Sequence, residues 1–222
     1  GEIRQDEQRA TLLYGVTGSG KTEVYMHLVR EVLREGGSAI VLVPEISLTP
    51  QTVDRFHSRF GATVAVIHSR LTQARRVEEW HRIRAGEARV VVGARSAVFS
   101  PARDLRLIVI DEEQESTYKQ EETPRYHTRT IARKRAELEK ALLLLGGATP
   151  SLESYFGSET GLSERHELRE RIEKRPLPAV TIVDMRRQEG KRRDRVFSNS
   201  LEEGIRAGLE KKEQTMLLLN RR

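Results

Sequence analysis

The sequence contains no cysteine among its 222 residues. That excludes a disulfide framework and any thiolate-bound metal within this stretch. No apolar run approaches the length of a membrane span, and the opening Gly1-Glu2-Ile3-Arg4-Gln5 is not a secretion signal. No membrane partner is therefore expected, and a cytoplasmic protein is the default. Internal repeats and low-complexity segments are also missing. Neither charge dominates: 39 Lys and Arg against 33 Asp and Glu leave a formal +6, compatible with a polyanionic partner but not diagnostic of one. At 37% hydrophobic and 32% charged, the composition is that of a folded chain rather than a disordered one.

What the sequence does carry is a complete phosphate-cradling loop, Gly15-Val16-Thr17-Gly18-Ser19-Gly20-Lys21-Thr22. Residues 11–14 before it read as a short strand, and residues 21–35 after it read as a helix with Val24, Leu28, Val32 and Leu33 at helical spacing. Glycines let backbone N–H groups turn inward around a di- or triphosphate, at a helix N-terminus whose dipole favours anions. Lys21 supplies charge to the outer phosphates and Thr22 a hydroxyl for Mg²⁺.

The second half of such a site is expected at 105–114, where four apolar residues run into Asp111-Glu112-Glu113-Gln114. A continuous apolar run suits a strand buried on both faces of a parallel sheet. Acids just beyond its carboxyl end stand where ligands bind in open α/β sheets. Asp111 would hold Mg²⁺, directly or through water, and Glu112 would polarise the attacking water. The pair points to hydrolysis.

Strand-like stretches at 11–14, 39–43, 63–67, 89–93, 107–110 and 142–146 alternate with helix-like ones at 21–35, 49–59, 72–85 and 129–141. This predicts an α/β, RecA-like P-loop lobe with a mostly parallel sheet flanked by helices. The first lobe is placed at 1–160. The charged segment 161–178, ending Arg175-Pro176-Leu177-Pro178, reads as a connector, and 179–222 as the opening of a second α/β lobe. There, 179–184 and 215–219 are expected to be strands and 200–212 a helix. Two strands and a helix bury too small a core to stand alone, so the chain is expected to be a piece of a longer protein. Trp80 is expected to pack on the sheet with His81 solvated, and the basic loop around Arg192 reads more readily as solvated surface than as a DNA grip.

The order of the motifs resembles the first motor lobe of the primosomal replication-restart helicases, DEAH-type members of helicase superfamily 2. The stretches that carry the resemblance are GVTGSGKTEVY at 15–25, LVPEISLTPQ at 42–51, HSRL at 68–71, GARSAVFSP at 93–101 and IVIDEEQESTYKQ at 108–120. PRYHTR at 124–129, GATPSLES at 147–154, VDM at 183–185 and LLLNRR at 217–222 complete the set. The resemblance implies ATP as nucleotide, single-stranded and forked DNA as partners, and 3′-to-5′ movement. It also implies single-strand-binding protein and other primosome proteins as partners, a bacterial nucleoid setting, and zinc only in a region downstream of this stretch. Pro44, Glu45 and the helix opening at Thr49 match a motif that touches the single-strand backbone. Arg95 and Ser96 are expected to grip the same backbone. Tyr118, Lys119, Arg125 and Tyr126 match an aromatic-rich loop that signals DNA occupancy to the ATPase site, through base stacking and phosphate neutralisation. Two tyrosines packed beneath a loop are the competing reading. Gln114 and Thr149 fall at positions that couple the nucleotide to DNA.

Three positions depart from the pattern: Gln114 replaces His, Gly147 replaces Ser, and Arg70 replaces Gly. Asp6-Glu7-Gln8-Arg9 resembles the start of an adenine-reading segment that runs into the first strand almost at once. The alternatives to a replication-restart motor are another superfamily-2 DNA translocase and a degenerate, non-hydrolysing DNA-binding scaffold.

Overall fold

The computed structural model describes residues 10–172, 179–187 and 196–219. The chain forms two units, Gly1–Arg175 and Pro176–Arg222.

The first unit is built on seven parallel strands: β1 (Ala10–Gly15), β2 (Ser38–Leu42), β3 (Val64–Ile67), β4 (Val90–Gly93), β5 (Leu105–Ile110), β8 (Leu142–Gly147) and β9 (Ser163–Leu168). Their order across the sheet is β3-β4-β2-β5-β8-β1-β9. Parallel strands need crossovers, here α1 (Lys21–Arg34), α2 (Pro50–Phe60), α3 (Gln73–Ala85), α4 (Thr128–Glu139) and α5 (Leu152–Glu159). Central strands bury both faces. Leu12, Ile40, Ile108, Ile110 and Leu145 pack on one side with Ile83 of α3 and Ala132 and Ala136 of α4. Leu13, Val41, Leu107, Val109 and Leu144 pack on the other with Tyr25, Met26 and Val29 of α1 and Phe56 of α2. Each fully buried large aliphatic contributes about 1.5–3 kcal/mol, so the seven-stranded core dominates the stability of this unit.

Local signals place the helix ends. Thr49 accepts a hydrogen bond from the Thr52 N–H at 3.3 Å and so caps α2, with Pro50 as its first residue. The α1 C-terminus closes at the Gly36-Gly37 pair: Gly36 N–H donates to Leu33 O at 3.1 Å and Gly37 N–H to Val32 O at 3.0 Å.

Several readings need correction. Residues 163–168, taken for a connector on their charge, form β9 and pair along all of β1 from Ala10↔Ser163 to Gly15↔Leu168. An edge strand satisfies its backbone through one neighbour and keeps polar side chains toward solvent, so charge alone does not forbid it. Trp80 is 40% exposed and lies under the Arg84 guanidinium at 5.1 Å, while Glu79 faces inward. Two ion pairs turn the helix this way: Arg75 at 2.9 Å and Arg82 at 2.7 Å neutralise the buried Glu79 carboxylate. The insertion after the acids holds a short hairpin, β6 (Lys119–Gln120) paired with β7 (Tyr126–His127).

In the second unit the expected helix is present as α6 (Asn199–Glu210), capped by Ser198. The expected strands at 179–184 and 215–219 have no regular secondary structure, and Val180, Ile182, Met216 and Leu218 are exposed. A strand needs a hydrogen-bonded neighbour, and none pairs with them among the described residues. The segments at Gln8 and Arg192, and Arg221 and Arg222, lie outside the described residues.

Candidate nucleotide site and nucleic-acid face

In an open parallel sheet, ligands collect beyond the carboxyl ends of the strands. Here β1 delivers the phosphate loop and β5 delivers the acids, with β8 lying between them. The loop turns at Gly18 and Gly20, whose φ of 80° and 93° lie in the left-handed region that a side chain disfavours. Lys21, 8% exposed, donates to Gly15 O at 2.9 Å and stands 3.8 Å from Glu112 Oε1. The Ser19 Oγ is buried without a hydrogen-bond partner among the described residues, which suits a loop built to receive acceptor oxygens. Thr17 to Thr22, Asp111 and Glu112 line one pocket of about 630 Å³, with Met26 and Arg59 on its walls and Ile172 beside Gly20.

Asp111 follows the last residue of β5. Burial pushes its carboxyl above the usual carboxylate range; a hydrogen bond from Tyr25 and the charge of Lys21 pull it back. Glu112 adopts φ 44°, an uncommon conformation for a side-chain-bearing residue, and this folds the chain sharply off the strand. The turn is closed by Glu115 N–H donating to Glu112 O at 2.9 Å. Gln114 Nε2 donates to Glu112 Oε2 at 2.9 Å, so the glutamine that replaces the expected histidine holds the expected water-activating carboxylate. A Thr22 hydroxyl and an Asp111 carboxylate sharing a pocket with phosphate donors are hard oxygen ligands of the kind Mg²⁺ takes alongside substrate phosphates.

Glu113 carries a role the sequence reading missed. It is 0% exposed, and its carboxylate accepts from Arg129 Nη1 at 2.6 Å and from the Ser151 N–H at 2.7 Å. It therefore ties the acidic turn to α4 and to the N-terminus of α5. An unbroken run of three acids gave no sign which one would turn inward.

The expected DNA residues meet only in part. Glu45, Arg95, Ser96, Tyr118, Gln120 and Tyr126 border one groove at the carboxyl ends of the strands. Tyr118 is 1% exposed and donates to the Asp111 backbone carbonyl at 2.7 Å, so its ring is core and offers no face to a base. Desolvation makes such a phenol keep its proton and seek an acceptor. Arg95 spends its guanidinium on the hairpin, donating to Lys119 O at 2.7 Å and Thr117 O at 3.3 Å. Pro44 is buried, its carbonyl accepting from Ser47 and Leu48. Lys119 pairs with Glu121 at 2.8 Å, Arg125 donates to Glu121 O at 3.0 Å, and Thr149 is exposed after β8. The accessible ring is Tyr126, which meets exposed Phe99 edge-on at 5.1 Å. Phe99, inside the stretch GARSAVFSP, was not singled out in the sequence because the expected grip on the DNA backbone rests on the polar groups of Arg95 and Ser96.

A phosphate-type loop and paired acids at the ends of strands β1 and β5, one strand apart in this sheet, define a RecA-like P-loop lobe. The chain belongs to the DEAD/DEAH box helicase family, whose model matches residues 2–155. It is 50% identical to the replication restart protein PriA of Bacillus subtilis over 220 residues, which is 99% of this chain and 27% of that protein. It is 48% identical to the replication restart protein PriA of Synechocystis over 216 residues, 95% of this chain and 26% of that one. The chain thus spans about a quarter of the length of these relatives. In fold it is similar to RecG bound to a three-way DNA junction, with a TM-score of 0.63 at 21% identity over 90% of this chain and 25% of that one. It is also similar to the Hef helicase domain of Pyrococcus furiosus, at 0.55 and 21% over 77% of this chain and 37% of that one. No helix among the described residues is long and apolar enough to cross a membrane.

Proposed function

We propose that this chain is the first motor lobe of an ATP-driven DNA helicase that acts in replication restart, moving 3′ to 5′ on single-stranded DNA at forks. The observation that carries the reading is the convergence of Lys21, Thr22, Asp111 and Glu112 on one pocket beside a groove lined by Ser96 and Tyr126. In the hydrolytic step, Glu112 accepts a proton from water as its oxygen attacks the γ-phosphorus, and the bond to the β–γ bridging oxygen breaks. Lys21 offsets charge on the phosphates, and the loop N–H groups hold them in line. Thr22 and Asp111 would hold Mg²⁺, which would supply further charge neutralisation.

Tyr118 joins the two halves of the reading. Its backbone belongs to the turn that opens the hairpin, while its hydroxyl holds the carbonyl of the metal-binding residue. Displacement of the hairpin by a strand in the groove reaches Asp111 through one side chain. The resemblance to replication-restart helicases supports single-strand-binding protein and primosome proteins as the partners of this lobe. ATP turnover by the longer protein, with and without single-stranded DNA, tests the reading. Stimulation by the strand is expected. Turnover indifferent to DNA would contradict the motor, and absent turnover with intact DNA binding would favour the non-hydrolysing scaffold.

A further inference from the structure

The sheet order β5-β8-β1 puts a whole strand between the phosphate loop and the acids, yet the two must act on one nucleotide. Strand β8 ends in Gly146-Gly147, aligned with Leu13 and Tyr14 of β1. Its last residues therefore carry no side chain between the two motifs. Tyr25 crosses there. Tyr25 lies one helical turn beyond Lys21 on α1, is 1% exposed, and donates from its hydroxyl to Asp111 Oδ1 at 2.9 Å. A β-carbon on residue 146 would stand 1.8 Å from the Tyr25 hydroxyl oxygen, so Gly146 is the condition for this reach.

From this geometry we infer that Tyr25 is a positioning residue for the divalent cation: it pins one oxygen of Asp111 from behind and presents the other to the pocket. The Glu112 backbone also hydrogen-bonds this carboxylate, and Tyr25 adds a side-chain anchor on Oδ1. Anchoring one oxygen fixes the plane before a cation arrives, as partners behind metal ligands do. A phenol suits the task because its O–H has a proton to give an acceptor-only carboxylate oxygen. The placement also couples the two motifs. Lys21 and Tyr25 ride on the same helix, so any shift of the phosphate loop reaches the carboxylate through one rigid turn of α1. The inference rests on the nucleotide reading of the pocket.

The test compares the 222-residue chain with Tyr25→Phe, which keeps the ring and removes only the hydroxyl. ADP affinity is measured by calorimetry in EDTA and in Mg²⁺, and Mn²⁺ binding in the presence of ADP by electron paramagnetic resonance. Thermal melts establish that both proteins are folded. Expected is an unchanged ADP affinity in EDTA, with Mn²⁺ affinity lowered roughly 10–100-fold and the Mg²⁺-dependent gain in ADP affinity reduced to match. Equal losses with and without metal would make Tyr25 a packing residue and overturn the inference, as would a variant indistinguishable from the parent. A parent chain that binds no ADP under either condition removes the nucleotide site itself, a failure distinct from that of Tyr25 alone.

Discussion

The Gln114 Oε1 atom lies 2.7 Å from where a β-carbon on residue 147 would stand, and it is buried without a hydrogen-bond partner among the described residues. Two of the three positions at which the chain departs from its family pattern therefore touch. Gln114 fills the space that a glycine leaves open, and its other end holds Glu112. Gly147→Ser should push the amide aside, lowering stability by about 1–3 kcal/mol as overpacking does. In a Gln114→Ala background that cost should largely vanish, a coupling of about 0.5–3 kcal/mol. Denaturant unfolding of the two single variants and the double variant measures it.

Tyr126 and Phe99, rather than Tyr118, are the aromatic faces open to a strand. Replacing either by Ala should weaken binding of oligothymidylate by roughly 1–3 kcal/mol with little change in the melting temperature. Tyr118→Phe should instead lower stability by about 1 kcal/mol, through loss of its hydrogen bond to Asp111. Fluorescence anisotropy and thermal melts on the three proteins separate the roles.

The parallel sheet and the pocket that brings Lys21 and Thr22 to Asp111 and Glu112 were legible in the sequence because they rest on local signals. A glycine-rich turn between a strand and a helix, and an apolar run ending in acids, state their geometry in order. The parts that were not legible depend on neighbours distant along the chain. Tyr118 reads as a loop aromatic until the fold brings Asp111 against it, and 163–168 reads as a charged connector until β1 offers an edge. Tyr25 stood in the sequence only as the last residue of GVTGSGKTEVY. Its target became visible only when the order β5-β8-β1 set Gly146 between them.

The Glu113–Arg129 pair should be costly to break on one side only. Arg129→Met leaves a fully buried carboxylate without its cation and should destabilise by about 3–5 kcal/mol. Glu113→Gln keeps a neutral acceptor for Arg129 and the Ser151 N–H, so it should cost less. Urea midpoints at neutral pH give the comparison.

His127 caps α4 by accepting from the Arg129 N–H at 3.3 Å, which requires an unprotonated ring nitrogen. Burial, and then the charge of Arg129, hold its imidazolium below the ordinary value of 6.5. The unfolded chain therefore takes up the proton first as pH falls, and stability decreases from about 6.5 downward until the folded form also protonates. His127→Asn keeps a capping oxygen that does not titrate. The variant should show a shallower decline in melting temperature between about pH 7 and pH 5.

The central claim is that one pocket divides its work, with Lys21 binding phosphate and Glu112 activating water. It is tested most directly by titrating ATP with Mg²⁺ into Lys21→Ala and Glu112→Gln in a calorimeter, beside the parent chain. The account predicts no measurable binding to Lys21→Ala and parental affinity for Glu112→Gln. A folded Glu112→Gln protein that fails to bind ATP, or a Lys21→Ala protein that binds as the parent does, would contradict it.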